Sequence, residues 1–140
     1  MNKEYKYQKE IDAKLEQDGL SMPDLFPIDN LNAFRYVFRN NPSNSNLPVF
    51  VSSPKRSLKS KQIIGYALSC YTDSQKAEEK FYSILDTCKM FRKTGGDALA
   101  GVVLEKEDGA MSKIGDFTHF SLFEYVGCNL NKKIHILKDL

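Results

Sequence analysis

Residues 63–72 read Ile-Ile-Gly-Tyr-Ala-Leu-Ser-Cys-Tyr-Thr and lead directly into Asp-Ser-Gln-Lys-Ala-Glu-Glu-Lys-Phe-Tyr-Ser-Ile-Leu-Asp-Thr-Cys-Lys-Met-Phe, ending at Phe91. In the first part Ile64, Tyr66, Leu68 and Cys70 alternate with Gly65, Ala67, Ser69 and Tyr71. Both faces are mostly apolar or small, the pattern of a central strand covered on both sides or crowded on one. Thr72-Asp-Ser-Gln75 fits a capping box, with Asp73 and Ser74 as alternative caps. Beyond it Ala77, Phe81, Ile84, Leu85, Cys88 and Phe91 share one helical face, and Gly95-Gly96 supplies the stop. The expectation is a buried strand that turns through a capped corner into one long helix over 74–93. Such a helix needs a sheet to receive its apolar stripe.

The rest of the chain supplies that sheet. In 33–39, Phe34, Tyr36 and Phe38 alternate with Arg35, Val37 and Arg39, as in a strand with two distinct faces. Residues 98–104, 117–126 and 133–137 also read as strands, and Leu47–Val51 as a strand or extended segment. Asn40–Asn46, Glu105–Gly109 and 110–116 read as loops and turns. The predicted fold class is α+β: a mixed or mainly antiparallel sheet of about five strands packed on the long helix. In 2–18, Tyr7, Ile11 and Leu15 are spaced four apart, and Gly19-Leu20 suits a left-handed stop. Residues 1–20 are therefore a peripheral helix or arm, and 21–140 a single α+β domain.

Bulk properties narrow the function. A net charge of +2 lacks the basic bias of a dedicated nucleic-acid binder, so nucleic acid is not an expected partner. Cys70, Cys88 and Cys128 form no CxxC pair and are odd in number, which argues against a disulfide framework and for a reducing compartment, while Cys70 in a strand and Cys88 on the helical apolar face read as core residues. The start of the chain has no apolar signal core, and no apolar run reaches the ~20 residues of a membrane span. A cytoplasmic protein without a membrane partner is expected. His119 and His135 have no ligand-spaced cysteines beside them, so no metal site is predicted.

Phosphate loops, HExxH, GxSxG and EF-hand patterns are absent. The polar residues within strands are the remaining candidates. Arg35 and Arg39 could grip a phosphate or carboxylate, or pair with acids and cover the sheet edge. His119 in an aromatic strand is either a base or a hydrogen-bonded structural residue. Glu124, if buried, needs a partner, for which a first-strand arginine is the natural choice. Ser69, Tyr71 and Thr72 form a hydroxyl-rich strand end at a helix N-terminus, where free N–H groups favour anions. Lys55-Arg-Ser-Leu-Lys-Ser-Lys61 could contact phosphates, but without interleaved aromatics it reads as a solvated loop.

The order Phe34–Arg39, Asn41-Pro42, Gly65–Tyr71 with Ala77, Asp97–Val103 and Thr118–Phe123 resembles a group of small bacterial α+β proteins of uncharacterised role. They share an Arg-bearing first strand, a Gly-x-Ser-x-aromatic strand leading into a helix, and a late His-aromatic strand. The resemblance covers about residues 33–137, and Tyr66-Ala-Leu68 lengthens the interval from Gly65 to Ser69 relative to that group. That group brings no activity with it. The absence of a dense catalytic constellation leads instead to the expectation of a cytoplasmic binding or accessory module in a defence, effector or immunity setting, with a protein or a small anionic ligand as partner and no cofactor. A looser similarity is to ADP-ribosyltransferase-like domains, in which an early-strand Arg, a hydroxyl strand and a late carboxylate act together. Arg35 or Arg39, Ser69 and Glu124 hold the matching positions. That alternative implies an Arg/Ser/Glu or Arg/Tyr/His pocket using NAD or another nucleotide.

Overall fold

The computed structural model describes residues 3–41 and 45–140, so residues 42–44 of the predicted asparagine-rich loop lie outside the described residues, as do Met1 and Asn2. The elements in order are α1 (Gln8–Asp18), β1 (Phe26–Pro27), β2 (Leu31–Val37), α2 (Val49–Ser52), β3 (Leu68–Tyr71), α3 (Ser74–Thr87), α4 (Phe91–Thr94), β4 (Ala98–Leu104), β5 (Gly109–Met111), β6 (His119–Glu124) and β7 (His135–Asp139). The strands form one sheet in the order β1-β5-β6-β3-β2-β4-β7. Every pairing is antiparallel. The α+β class is as the residue patterns predict, but the sheet has seven strands rather than about five. The two extra strands are β1 and β5, of two and three residues, too short to carry a period-two signal.

Side chains opposite one another in register share a face, so the sheet divides cleanly. One face carries Ala33 opposite Val102, Arg35 opposite Ala100, Cys70 opposite Phe120 and Leu68 opposite Leu122. Loops cover it: Ile28, Cys128 and Leu130 pack on these residues, with Ile134 at the margin. The other face carries Phe34, Tyr36, Ser69, Tyr71, His119, Ser121 and Phe123. Helices cover this face at its two ends. At one end α3 and α4 bring Ala77, Phe81 and Phe91 against Tyr36, Tyr71 and Leu99, with the Phe81 ring centroid 5.3 Å from those of both Tyr36 and Phe91. At the other end α1 and the 3-10 turn Ile63–Tyr66 bring Ile11 and Ile63 onto Ala67 and Phe123. Burying an aromatic such as Phe81 contributes about 2–3 kcal/mol, so each end anchors its helix firmly.

The strand-corner-helix feature survives in shortened form. Only Leu68–Tyr71 is strand, and Ile63–Tyr66 is a 3-10 turn. Gly65 lies against the Phe50 ring so closely that a Cβ would collide with it, and that ring also meets Tyr66 edge-on at 5.2 Å. The apolar alternation at 63–67 reflects this turn packing on α2. Residues 47–51, read as extended, instead form part of this helical corner. Asp73 caps α3, its carboxylate accepting the Lys76 N–H at 2.9 Å, a contact worth about 1 kcal/mol.

The predicted 74–93 helix is two helices. The first ends at Thr87; Cys88 leaves helical geometry (φ −123°, ψ 89°), and α4 restarts at Phe91. The periodicity continues because Phe91 still reaches the same core from its own short helix, whereas Cys88 is exposed at the break and is no core residue. Two other boundaries move. Residues 117–118 precede β6 in an irregular turn, and the last strand runs from His135 to Asp139. Gly19 is left-handed (φ 62°), and the Leu20 N–H returns to the Leu15 carbonyl at 3.2 Å, closing α1 as its sequence predicts.

Candidate ligand site on the helix face

Between the two helical ends Ser69 is exposed and His119 half-buried, while Tyr71 and Ser121 beside them are buried. Ser69 lies on β3, the central strand with three strands on each side, yet it is exposed. Its hydroxyl is 3.1 Å from His119 Nε2 on the neighbouring strand β6. Tyr71, paired in register with His119, packs edge-on against the imidazole at 5.2 Å. Half-buried Phe34 and exposed Val103 flank this strip on β2 and β4. The Arg/Tyr/His and Arg/Ser/Glu groupings are therefore only partly assembled: Ser69, Tyr71 and His119 come together, and Arg35, Arg39 and Glu124 do not join them.

Burial, and then the positive charge of Lys80, holds the His119 imidazole below its usual pKa. At neutral pH it is uncharged, and Nε2 can either accept from the Ser69 hydroxyl or donate to it. Burial likewise raises the Tyr71 phenol. Its neighbour Tyr36 is raised chiefly by burial and donates its hydroxyl to the Ala77 carbonyl at 2.6 Å. The site thus presents neutral donors and acceptors, with Lys80 close by. No acidic orienting partner holds His119 Nδ1 among the described residues, so the Ser69–His119 pair is not part of a triad.

The corner itself offers less to an anion than its composition suggests. Thr118 Oγ1 accepts the backbone N–H groups of Thr72 and Asp73, each at 3.2 Å, and Asp73 occupies the Lys76 N–H. Thr72 is half-buried and its N–H also reaches the Thr118 carbonyl at 3.1 Å. This clasp requires Phe117 and Thr118 to adopt consecutive left-handed conformations, at φ 56° and 62°. Such geometry costs about 1–2 kcal/mol per residue. Lys80 lies over the Phe117 ring at 5.2 Å, and the Gly115 N–H returns to the His119 carbonyl at 2.8 Å. The turn fixes where β6 begins, and so fixes His119 against Ser69. Neither residue is glycine or asparagine, so the chain carries no local signal of it.

Arg35 is buried on the opposite face. Its guanidinium donates to the Ser69 carbonyl at 2.6 Å, the Ser45 carbonyl at 2.9 Å and Asn46 Oδ1 at 3.2 Å, with Cys70 Sγ at 4.0 Å. These bonds tie the loop after β2 to the sheet and leave little for a ligand. Arg39 pairs with Asp139 across the sheet margin, and its N–H reaches Asp97 at 2.9 Å.

Glu124 is buried, but its partner is not the expected first-strand arginine. It is Lys6, at 2.8 Å, whose ammonium also donates to the Cys128 carbonyl at 2.6 Å. The N-terminal segment reaches this position because Lys6 N–H bonds to the Glu124 carbonyl at 2.8 Å and Tyr5 bridges to Tyr125. Glu124 Oε1 is buried without a well-formed hydrogen bond, beside a Cys128 thiol that is a weak donor. Burial first, and then the nearby Glu124 carboxylate, pushes that thiol up to about 12. Asp108, read as a solvated turn residue, is buried too, pairing with Lys133 and accepting the Glu105 N–H at 2.8 Å.

Among the described residues no three His, Cys, Asp or Glu side chains lie together as metal ligands, and no helix is long and apolar enough to cross a membrane. No family model, curated protein or solved structure matches the chain.

Proposed function

We propose that the protein is a binding or accessory module that takes a small anionic ligand on the open strip around Ser69, Tyr71 and His119. One observation carries this reading: a hydroxyl in the interior of a seven-stranded sheet remains exposed and is hydrogen-bonded to a half-buried, neutral histidine. Stability alone would favour an apolar side chain under cover at that position. A neutral imidazole and the exposed Ser69 hydroxyl can donate to phosphate or carboxylate oxygens, Tyr71 packs behind them, and Lys80 supplies a cation within electrostatic reach of His119. A transferase built on Arg35, Ser69 and Glu124 has less support, because those two charges are engaged by protein groups on the other face.

The test is thermal-shift screening against inorganic phosphate, AMP and NAD, followed by imidazole NMR. A true ligand at ~100 times its dissociation constant adds about 2.7 kcal/mol to stability. It should move the His119 resonances, leave those of His135 unchanged, and lose its effect in Ser69→Phe. If none of the three anions moves His119, or if Ser69→Phe binds as well as the parent protein, the reading fails.

A further inference from the structure

A second surface rests on different residues. Lys14, on α1, is only 5% exposed. Its ammonium donates to the Ser57 carbonyl at 2.6 Å and to the Ser60 carbonyl, pairs with Asp18 at 3.1 Å, and lies 5.3 Å from the Phe50 ring centroid. A buried lysine is costly unless its donors are filled. Here they are filled largely by the backbone of the basic segment, which is thereby pinned rather than left as a loose loop.

What the pinned segment displays is unusual for this molecule. Leu58, at the end of the 3-10 turn Pro54–Leu58, is 84% exposed, well above every other exposed large apolar side chain among the described residues. Lys55, Arg56, Lys59 and Lys61 surround it in sequence, and all are exposed. None has a carboxylate partner among the described residues, whereas Lys6, Lys14, Arg39, Lys76, Lys133 and Lys138 each have one. The segment holds four of the twenty basic residues and no acid, leaving sixteen against eighteen and a net charge of −2 on the rest of the chain. No other stretch of its length in the chain holds as many basic residues.

We propose that this pinned loop docks an acidic segment of a partner protein, with Leu58 as the apolar anchor and the four cations as its charged rim. An apolar centre ringed by charge is how interfaces divide affinity from steering. Nucleic acid fits less well, because no exposed aromatic lies in the segment for base stacking and a protruding leucine gives a phosphate nothing. A bilayer fits less well too, because one leucine with no aromatic beside it is a weak second signal for anchoring.

The experiment uses the full chain at physiological salt. Two fluorescein-labelled peptides of equal length and charge serve as probes, one of Glu-Glu-Leu repeats and one of Glu-Glu-Ser repeats. The leucine peptide should bind about tenfold tighter, a difference that Leu58→Ser abolishes. Replacing Lys55, Arg56, Lys59 and Lys61 by Gln should weaken both peptides. Because all five side chains are exposed, unchanged melting temperatures confirm that the variants are folded. Three results would each overturn the proposal: equal binding of the two peptides, a preference that survives Leu58→Ser, or tighter binding to single-stranded DNA or phosphatidylglycerol vesicles than to the leucine peptide.

Discussion

The two faces of the sheet use polar residues in opposite ways. On the loop-covered face Arg35 and Glu124 are buried and engaged by protein partners: one by backbone carbonyls and Asn46, the other through Oε2 by Lys6. On the helix-covered face Ser69 and His119 are matched only to each other, at the edge of solvent. A buried charge must find its full set of partners or destabilise the fold, so its presence in a strand signals architecture. A neutral hydroxyl or imidazole left at an opening is under no such constraint, and its spare donors and acceptors remain available. The residues of most chemical promise in the bare sequence, the arginines and the glutamate, are therefore those the fold consumes.

The contrast is tested most strongly by Arg35→Met. It leaves the Ser45 and Ser69 carbonyls and Asn46 without their donor, and should cost about 3–5 kcal/mol in denaturant unfolding. Ser69→Ala, across the sheet, should stay within about 0.5 kcal/mol of the parent. Comparable losses from the two variants would break the division between faces. Lys6→Met should cost about 2 kcal/mol, less than a fully buried pair, because the lysine side chain is 30% exposed. Adding Glu124→Gln to Lys6→Met should recover part of that loss, since an amide is cheaper than a bare carboxylate to bury. If the double variant is no more stable than the single, the ion pair is not what holds the N-terminal segment down.

The strained turn before β6 divides its two residues in the same way, at a smaller scale. Phe117→Gly relieves one left-handed residue and should stabilise by up to about 1 kcal/mol, less whatever the Lys80 contact contributes. Thr118→Val removes the oxygen that accepts the Thr72 and Asp73 N–H groups and should cost about 1–2 kcal/mol. Opposite signs at adjacent positions, read by thermal unfolding, would show that Thr118 holds the corner while Phe117 bears the strain of doing so.

Sequence patterning carries only what local geometry repeats. The alternation in β2, the cap at Asp73 and the stripe through Ala77 and Phe81 are legible because local geometry repeats them at fixed spacing. The pairing of Glu124 with Lys6 spans 118 positions and leaves no periodic trace. The grip of Lys14 on the basic loop is hidden in the same way: a lysine on a peripheral helix looks solvated until the loop folds over it. In the candidate site, Ser69, Tyr71 and His119 were visible as polar residues in strands. Their grouping depends on β3 and β6 being neighbours, which the order of elements along the chain does not reveal. Arg35 could not be told from a ligand-binding arginine, because its carbonyl partners arrive from elsewhere in the chain.

The pH dependence of stability bears most directly on function. Burial and Lys80 hold His119 below the ~6.5 of an unfolded chain, so above that pH the imidazole is neutral in both states and the shift has no influence on stability. As pH falls through 6.5 towards the folded value, the unfolded chain binds a proton that the folded protein does not. Stability must then decline with falling pH, with a slope that this one group holds below about 1.4 kcal/mol per pH unit. His119→Gln keeps a hydrogen-bonding group beside Ser69 but has no titration, and should flatten this part of the profile in denaturant melts taken across the window. An anion bound at Ser69 would raise the His119 pKa and flatten the same slope in the parent protein. A slope that persists in His119→Gln would place the titrating group elsewhere and remove the histidine from the case for an open site.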